Sequence, residues 1–299
     1  MTERITPSMM SNTLLSDLQN ITDSLATSQE QLSSGKRILQ PSDDPFGTSR
    51  ALAYRADLAS NQQYQTNAND GSSWLDAADT ALGSISSLVQ RARDLVVQGA
   101  NTTSGGSSNA SIAAEIDQLI ESIKTEANTQ YAGQYIFSGT KTTTQPYTPN
   151  GSDAYAGDTG AVSREIGPGV QVQVNVDGAS VIGDGSTPGT LLNTLRQVSA
   201  DLKANNISAL GSTDLQAIDA AVDNVNTIRA TVGARADRLQ TALSRLQQLQ
   251  ESSTKLLSDT EDADMAQTIV TYSQQQAVYQ AALKAGANII QPSLMDFLQ

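Results

Sequence analysis

The chain has 299 residues with 31 acidic against 18 basic side chains, and its formal net charge of −13 leaves no basic face for phosphate backbones, which argues against nucleic acid as a partner. Cysteine and histidine are both absent, so disulfide frameworks, thiolate nucleophiles, the usual zinc ligands and the commonest general base near neutral pH are excluded together. Aromatic residues reach only 4%, too few for a thick globular core; thin helical layers manage with Leu, Ile, Val and Ala along one stripe, so an elongated, mainly α chain is expected.

In chain order, residues 1–10 (MTERITPSMM) contain no apolar run of signal-peptide length, and no later stretch is long and apolar enough to insert in a membrane. From Met10 a heptad stripe begins: Leu14, Leu18, Ile21, Leu25 and Leu32, with Ser28 in the remaining seam position and Gly35 as a helix stop. Gln40-Pro41-Ser42-Asp43-Asp44-Pro45 reads as a loop, where Asp43 or Asp44 caps a helix that has Pro45 at its first position. That helix is expected over Phe46–Asn101, with Leu75, Ala78, Leu82, Ile85, Val89, Ala92 and Val96 on its buried face. Thr102–Ser108 (TTSGGSS) reads as a turn, and a shorter helix with Ile112, Ile116, Leu119 and Ile123 folds back beside the second.

From Tyr131 to about Pro188 Gly, Pro, Thr and Asp cluster, and Val170, Val172, Val174 and Val176 alternate with polar residues. Period two means strand, so a small β-rich insertion is expected, with Asn150-Gly151 and Asp177-Gly178 as hairpin ends. Helical pattern resumes at Leu191, breaks near Asn205-Asn206 and restarts at Asp214. Ile228, Val232, Leu239, Ala242, Leu246, Leu249 and Leu256 share one seam, interrupted by Arg235 and Ser253. After Asp259–Asp264 a last helix carries Ile269, Tyr272, Tyr279, Leu283 and Ile290, and Pro292 closes it. The segments are thus 1–45, 46–130, 131–189, 190–259 and 260–299, helical at both ends with the β insertion central, as in a chain that runs out and returns.

Charge follows this order: eight acidic against five basic residues in 1–70, sixteen against seven in 71–227, and seven against six in 228–299. A repelling middle between nearly neutral ends places the packing surfaces at the ends. Five seam residues from Leu14 to Leu32 contribute on the order of 10 kcal/mol if fully buried. Ordering roughly 25 residues costs about 1–2 kcal/mol each. One seam does not hold such a helix, so both termini are expected to fold on assembly. In the isolated chain, amide exchange across Leu14–Leu32 should be fast; strong protection there would sink the expectation.

Three local stretches resemble a known family, the bacterial flagellins and their hook-associated relatives. These are Gln31-Leu32-Ser33-Ser34-Gly35-Lys36-Arg37-Ile38 with Pro41-Ser42-Asp43-Asp44-Pro45-Phe46-Gly47; Val232-Gly233-Ala234-Arg235 through Arg238-Leu239; and Thr260-Glu261-Asp262-Ala263-Asp264-Met265-Ala266. The resemblance covers roughly 1–140 and 190–299. Within the family, Arg4-Ile5-Thr6 with Met9-Met10, the Pro41-Ser42-Asp43-Asp44-Pro45 loop, Tyr135-Ile136-Phe137-Ser138-Gly139 and Ser293-Leu294-Met295-Asp296-Phe297-Leu298 are more similar to the members at the junction of hook and filament than to the filament subunit.

What the resemblance implies is a non-enzymatic structural subunit without a cofactor, exported unfolded through the flagellar channel to the cell exterior without a cleaved signal. Its partners would be identical subunits in a ring, the other hook-associated junction protein, flagellin, and an export chaperone on the C-terminal helices. The fold implied is a flagellin-like bundle and coiled coil formed by both termini, with the β domain at the far end. The assembly interface would comprise Leu14, Leu18, Ile21, Leu25 and Leu32; Ile228, Val232, Leu239, Leu246, Leu249 and Leu256; and Ile269, Tyr272, Tyr279, Leu283 and Ile290.

Arg235 in a seam is costly unless it finds a carboxylate, so it either selects register or partner or snorkels to the edge. Tyr272 and Tyr279 are packing residues or part of a chaperone face. A second reading is flagellin itself. The acidic pairs Asp43/Asp44 and Asp262/Asp264 permit a third, from another class, a secreted carboxylate-dependent hydrolase centred on Asp43 and Asp262, but each pair precedes a helix, where capping explains it.

Overall fold

Helix dominates, as the periodicities require. The computed structural model describes residues 7–101 and 106–290. In order these are α1 (Pro7–Ser34), α2 (Pro45–Asn101), α3 (Gly106–Ala127), β1 (Gln130–Tyr131), β2 (Gln134–Tyr135), β3 (Ser163–Gly167), β4 (Val170–Gln173), α4 (Gly178–Val181), α5 (Leu191–Lys203), α6 (Ile207–Ala209), a π-helical turn (Leu210–Asp214), α7 (Leu215–Glu261) and α8 (Met265–Ile290). They form two compact units: residues 61–249, and residues 1–60 with 250–299.

The 61–249 unit holds the core. All seven residues expected on the inner face of α2 are buried, and they meet Ile112, Ile116, Ile120 and Ile123 of α3, Leu192, Leu195, Val198 and Leu202 of α5, and Ile218, Val225, Val232 and Leu239 of α7. On α3 the buried phase runs through Ile120, so Leu119 is only half-buried. Arg91 pairs with Glu115 at 2.7 Å to join α2 and α3, and Asp117 accepts from Ser199 (2.8 Å) and Lys203 (2.7 Å) to join α3 and α5. The turn expected over Thr102–Ser108 ends earlier: α3 begins at Gly106, and 102–105 lie outside the described residues.

The insertion is small in sheet content, two antiparallel two-stranded pairs, β1–β2 and β3–β4. The strand expected over Val170–Val176 stops at Gln173. Beyond it the register holds for one more bond, Val174 N–H to Val162 O, and then a side chain takes over: the Asn175 carboxamide accepts from Val162 N–H and donates to Gly160 O. Val172, Val174 and Val176 still alternate into the core. Gly71 makes this approach possible, because a Cβ there would lie 2.9 Å from the Val174 side chain. Asp177-Gly178, expected as a hairpin end, instead starts α4, where the Asp177 carboxylate accepts from Ala179 N–H at 2.9 Å. Arg164 bonds Asp70 at 2.7 Å, and buried Tyr147 donates to Gly183 O at 2.6 Å, tying the insertion to α2 and closing it on itself.

Candidate assembly interface

In the unit of residues 1–60 and 250–299, α1 and α8 lie antiparallel. The Ser28 hydroxyl donates to Gln275 Oε1 at 2.8 Å, and Leu14 packs where a Cβ on Gly286 would lie 2.7 Å from its Cδ2. Leu14, Leu18, Ile21, Leu25 and Leu32 are half-buried along this seam, and Ser28 is buried at its middle. What α8 offers in return is mixed: Thr268, Thr271, Gln275 and Gly286, with Tyr272 and Tyr279 half-buried two heptads and one heptad before Gly286. The leucine stripe therefore packs on small, polar and aromatic side chains.

The apolar residues of α8 point elsewhere. Met265, Ile269, Val270, Val278 and Leu283 are all exposed, Ile269 at 53% and Leu283 at 47%. Lys284 is the one charged residue among the 26 of α8. Large apolar side chains clustered on the outside of a helix with a single charge mark a surface that other elements cover. Among the described residues, the exposed large hydrophobic side chains fall in this unit except for Val170, Ile207 and Leu249.

The two flanks of the α1–α8 pair differ. Helical phase puts Met265, Ile269 and Leu283 with Leu15 on one side of the seam. The other side is a groove of about 330 Å³ lined by Asn20, Ile21, Ser24, Thr271, Gln274, Gln275 and Val278. A second groove of about 260 Å³, sharing Thr271, continues past Ser28, Gln31 and Gln267 to the end of the pair.

At that end both chain passes break and are clasped together. Gly35, in the left-handed conformation at φ 70°, ends α1, and Lys36 forms an antiparallel bridge with Asp262. Arg37 N–H donates to Glu261 O (2.7 Å), Ala263 N–H to Gly35 O (2.9 Å), and the Arg37 guanidinium to Thr260 O (2.8 Å). The buried Glu261 carboxylate receives Lys36 and Arg55. Burial pushes its pKa up, but Lys36 and Arg55 more than reverse this and hold it below the ordinary glutamate range.

The acidic pairs are engaged in backbone geometry. Asp44 accepts from Gly47 N–H at 2.8 Å and caps α2, a bond that together with Arg37 lowers its pKa. Asp43 accepts from Leu39 and Gln40 N–H, Asp264 accepts from Gln267 N–H and caps α8, and Asp262 accepts from Ser258. Among the described residues no group of three acidic side chains converges as a metal site would require.

The seam of α7 divides. Val232, Leu239 and Leu246 are buried by the chain's own packing and Ile228 is half-buried against the core, so the surface expected at these four is taken up inside the chain; Leu249 and Leu256 remain exposed. Arg235, expected to select register or partner, donates to Asn175 O (3.0 Å) and Gln173 Oε1 (3.3 Å) of the same chain. It sits where the insertion crosses α7, and no carboxylate pairs with it among the described residues. Ile290 ends α8 and its side chain lies outside the described residues, as do Arg4-Ile5-Thr6, Pro292 and Ser293–Leu298.

Three features of the interface escaped sequence reasoning. Glu261 lay within a quoted motif, yet its partner Lys36 is 225 residues away. Gly286, inside an Ala-rich helical run, was the detectable signal of a close approach. The two-sidedness of the α1–α8 pair needed the pairing itself.

Comparison with known proteins matches residues 5–142 to the bacterial flagellin N-terminal helical region and residues 215–298 to the bacterial flagellin C-terminal helical region. The chain is 27% identical over 277 residues to flagellar hook-associated protein 3 of Escherichia coli (strain K12), covering 86% of this chain and 87% of that protein. It is 28% identical over 302 residues to flagellin of Bacillus subtilis (strain 168), covering 95% and 97%. The solved structure of a flagellar hook-associated protein from Vibrio parahaemolyticus, 25% identical, superposes with a TM-score of 0.66 over 74% of this chain and 100% of that one.

Proposed function

Because the chain belongs to the bacterial flagellin family and is a structural subunit of the flagellum, we propose that it is the subunit that joins hook to filament. Its terminal segments, 1–45 and 260–299, are the axial part that packs with neighbours; 46–130 with 190–259 form the helical domain and 131–189 the outer insertion. The observation that carries this is α8: 26 residues, one charge, and apolar side chains on faces its own chain leaves uncovered. Leu14 to Leu32 of α1, Leu249 and Leu256 of α7, and Ile269, Tyr272, Tyr279, Leu283 and Ile290 of α8 are the contact set.

The partners proposed are identical copies in a ring, the other hook-associated junction protein on one side and flagellin on the other. An export chaperone covers the C-terminal helices beforehand, and the chain travels unfolded through the flagellar channel to the outside. Low-aromatic ends that order only against neighbours suit such a route. Deleting the gene should leave cells with hooks that shed unpolymerised flagellin; normal filaments in the deletion strain would refute the junction role.

The likeness to the Bacillus subtilis flagellin over nearly the whole chain favours a second reading, the filament subunit. Added to filament seeds, a filament subunit grows long fibres unaided, whereas a junction subunit adds a limited layer between unlike partners.

A further inference from the structure

Building on the reading that other subunits cover the terminal segments, we infer that Met9, Met10 and Met265 are oxidation sites: a peroxide that converts their thioethers to sulfoxides stops assembly and leaves the 61–249 unit folded.

The distribution of oxidisable side chains carries the inference. The five methionines stand at positions 1, 9, 10, 265 and 295, so none lies between residues 11 and 264, and the chain has no cysteine to react first. The single tryptophan, Trp74, is 2% exposed in the core of the 61–249 unit. A peroxide therefore finds thioethers in the terminal unit and no comparable group in the other. Met9 is 53% exposed, Met10 46% and Met265 42%. Methionine is among the residues most often found fully buried, so the exposure of all three is a departure. They also bracket the α1–α8 pair. Met10 stands about one turn before Leu14 of the seam, and Met265 opens α8 about one turn before exposed Ile269.

In the reaction the thioether sulfur attacks one oxygen of hydrogen peroxide; the S–O bond forms as the O–O bond breaks. The proton of the attacked oxygen passes to the departing hydroxide, which leaves as water. Sulfur gives up two electrons and the peroxide takes them. A flexible apolar side chain thereby becomes a polar one with a strong acceptor oxygen. On the free chain that oxygen stays hydrated, so the fold is untouched. Covered by another subunit beside Ile269, it leaves water with no donor among the aliphatic side chains around it, and the contact is lost.

The purified full chain, treated with hydrogen peroxide and then freed of it, is expected to carry added oxygen at residues 9, 10 and 265 in peptide mass maps and to keep the urea midpoint read from Trp74 fluorescence. It is expected to bind at least tenfold less to hooks isolated from the deletion strain. Met9→Leu/Met10→Leu/Met265→Leu keeps the apolar surface and the helix propensity, and is expected to bind like the untreated chain, within twofold, before and after peroxide.

As an independent arm, Met10→Gln/Met265→Gln places an uncharged polar group at two of the sites without any oxidant, and is expected to lower binding at least threefold. Unchanged binding of the oxidised chain, undiminished binding of the glutamine variant, or a peroxide-induced loss that persists in the leucine variant overturns the inference and leaves the structural role standing. An untreated chain that binds neither hooks nor filament seeds overturns the reading of covered terminal segments instead.

Discussion

Lys124→Met is expected to lower the unfolding free energy of the chain by about 3 kcal/mol, read from the urea midpoint at unchanged slope. Lys124 is fully buried, an uncommon place for an ammonium group. Its Nζ donates to Gly151 O at 3.0 Å and lies 3.2 Å from Asp153 and 3.3 Å from Glu121. Methionine fills the space of the stem but leaves the Gly151 carbonyl without this donor and two poorly solvated carboxylates without this cation. Arg196 moderates the loss, because it bonds Asp153 at 2.7 Å and holds that carboxyl below the ordinary range, with Lys124 second. Without Arg196 the effect would stand nearer the upper end of what breaking a buried pair costs, about 5 kcal/mol. A loss under about 0.5 kcal/mol, typical of exposed pairs, would mean that the network contributes no more than surface charge.

Asp214→Asn is expected to act in the opposite direction, stabilising the chain at neutral pH by up to about 3 kcal/mol and not at all near pH 3. Asp214 ends the π-helical turn, is 4% exposed, and its Oδ2 has no hydrogen-bond partner among the described residues. Burial first, and the Asp201 charge second, push its carboxyl from 3.8 up to about 6. A folded-state pKa above the unfolded one means that the folded chain keeps a proton the unfolded chain has released. Stability therefore falls as pH rises from about 4 to about 6, and the penalty persists above that. Asparagine carries no charge to desolvate and can donate to Asp201, so the variant should lose this slope. Parallel stability curves for native and variant chains between pH 4 and 7 would show that Asp214 does not titrate in this window.

Much of the helical fold was legible because it rests on local spacing. The period of three and four over Leu75–Val96 placed the inner face of α2, Gly35 and Pro45 placed the helix limits beside them, and the acidic run ending at Asp264 placed the start of α8. Legibility failed where geometry replaced period. The β4 ladder ends because the Asn175 side chain takes the Val162 N–H that would have continued it, a choice that alternation cannot reveal. Asp177-Gly178 suits a hairpin end and a helix start equally, and only the Ala179 amide 2.9 Å from the carboxylate distinguishes them.

For the candidate interface, sequence alone determined which residues share a face and how little charge the last helix carries, because helical phase and composition are local properties. Tertiary structure decided what each face meets. The stripe on α7 and the stripe on α1 have the same period, yet Val232 and Leu239 are buried in the core while Leu14 and Leu18 lie half-covered against Gly286 and its neighbours on α8. A seam of correct period is satisfied by any apolar or small surface of matching shape, so period specifies that a partner is needed and packing specifies which one. The clasp of Lys36 and Arg55 on Glu261 belongs wholly to the second kind, since only the folded backbone brings together charges more than 200 residues apart.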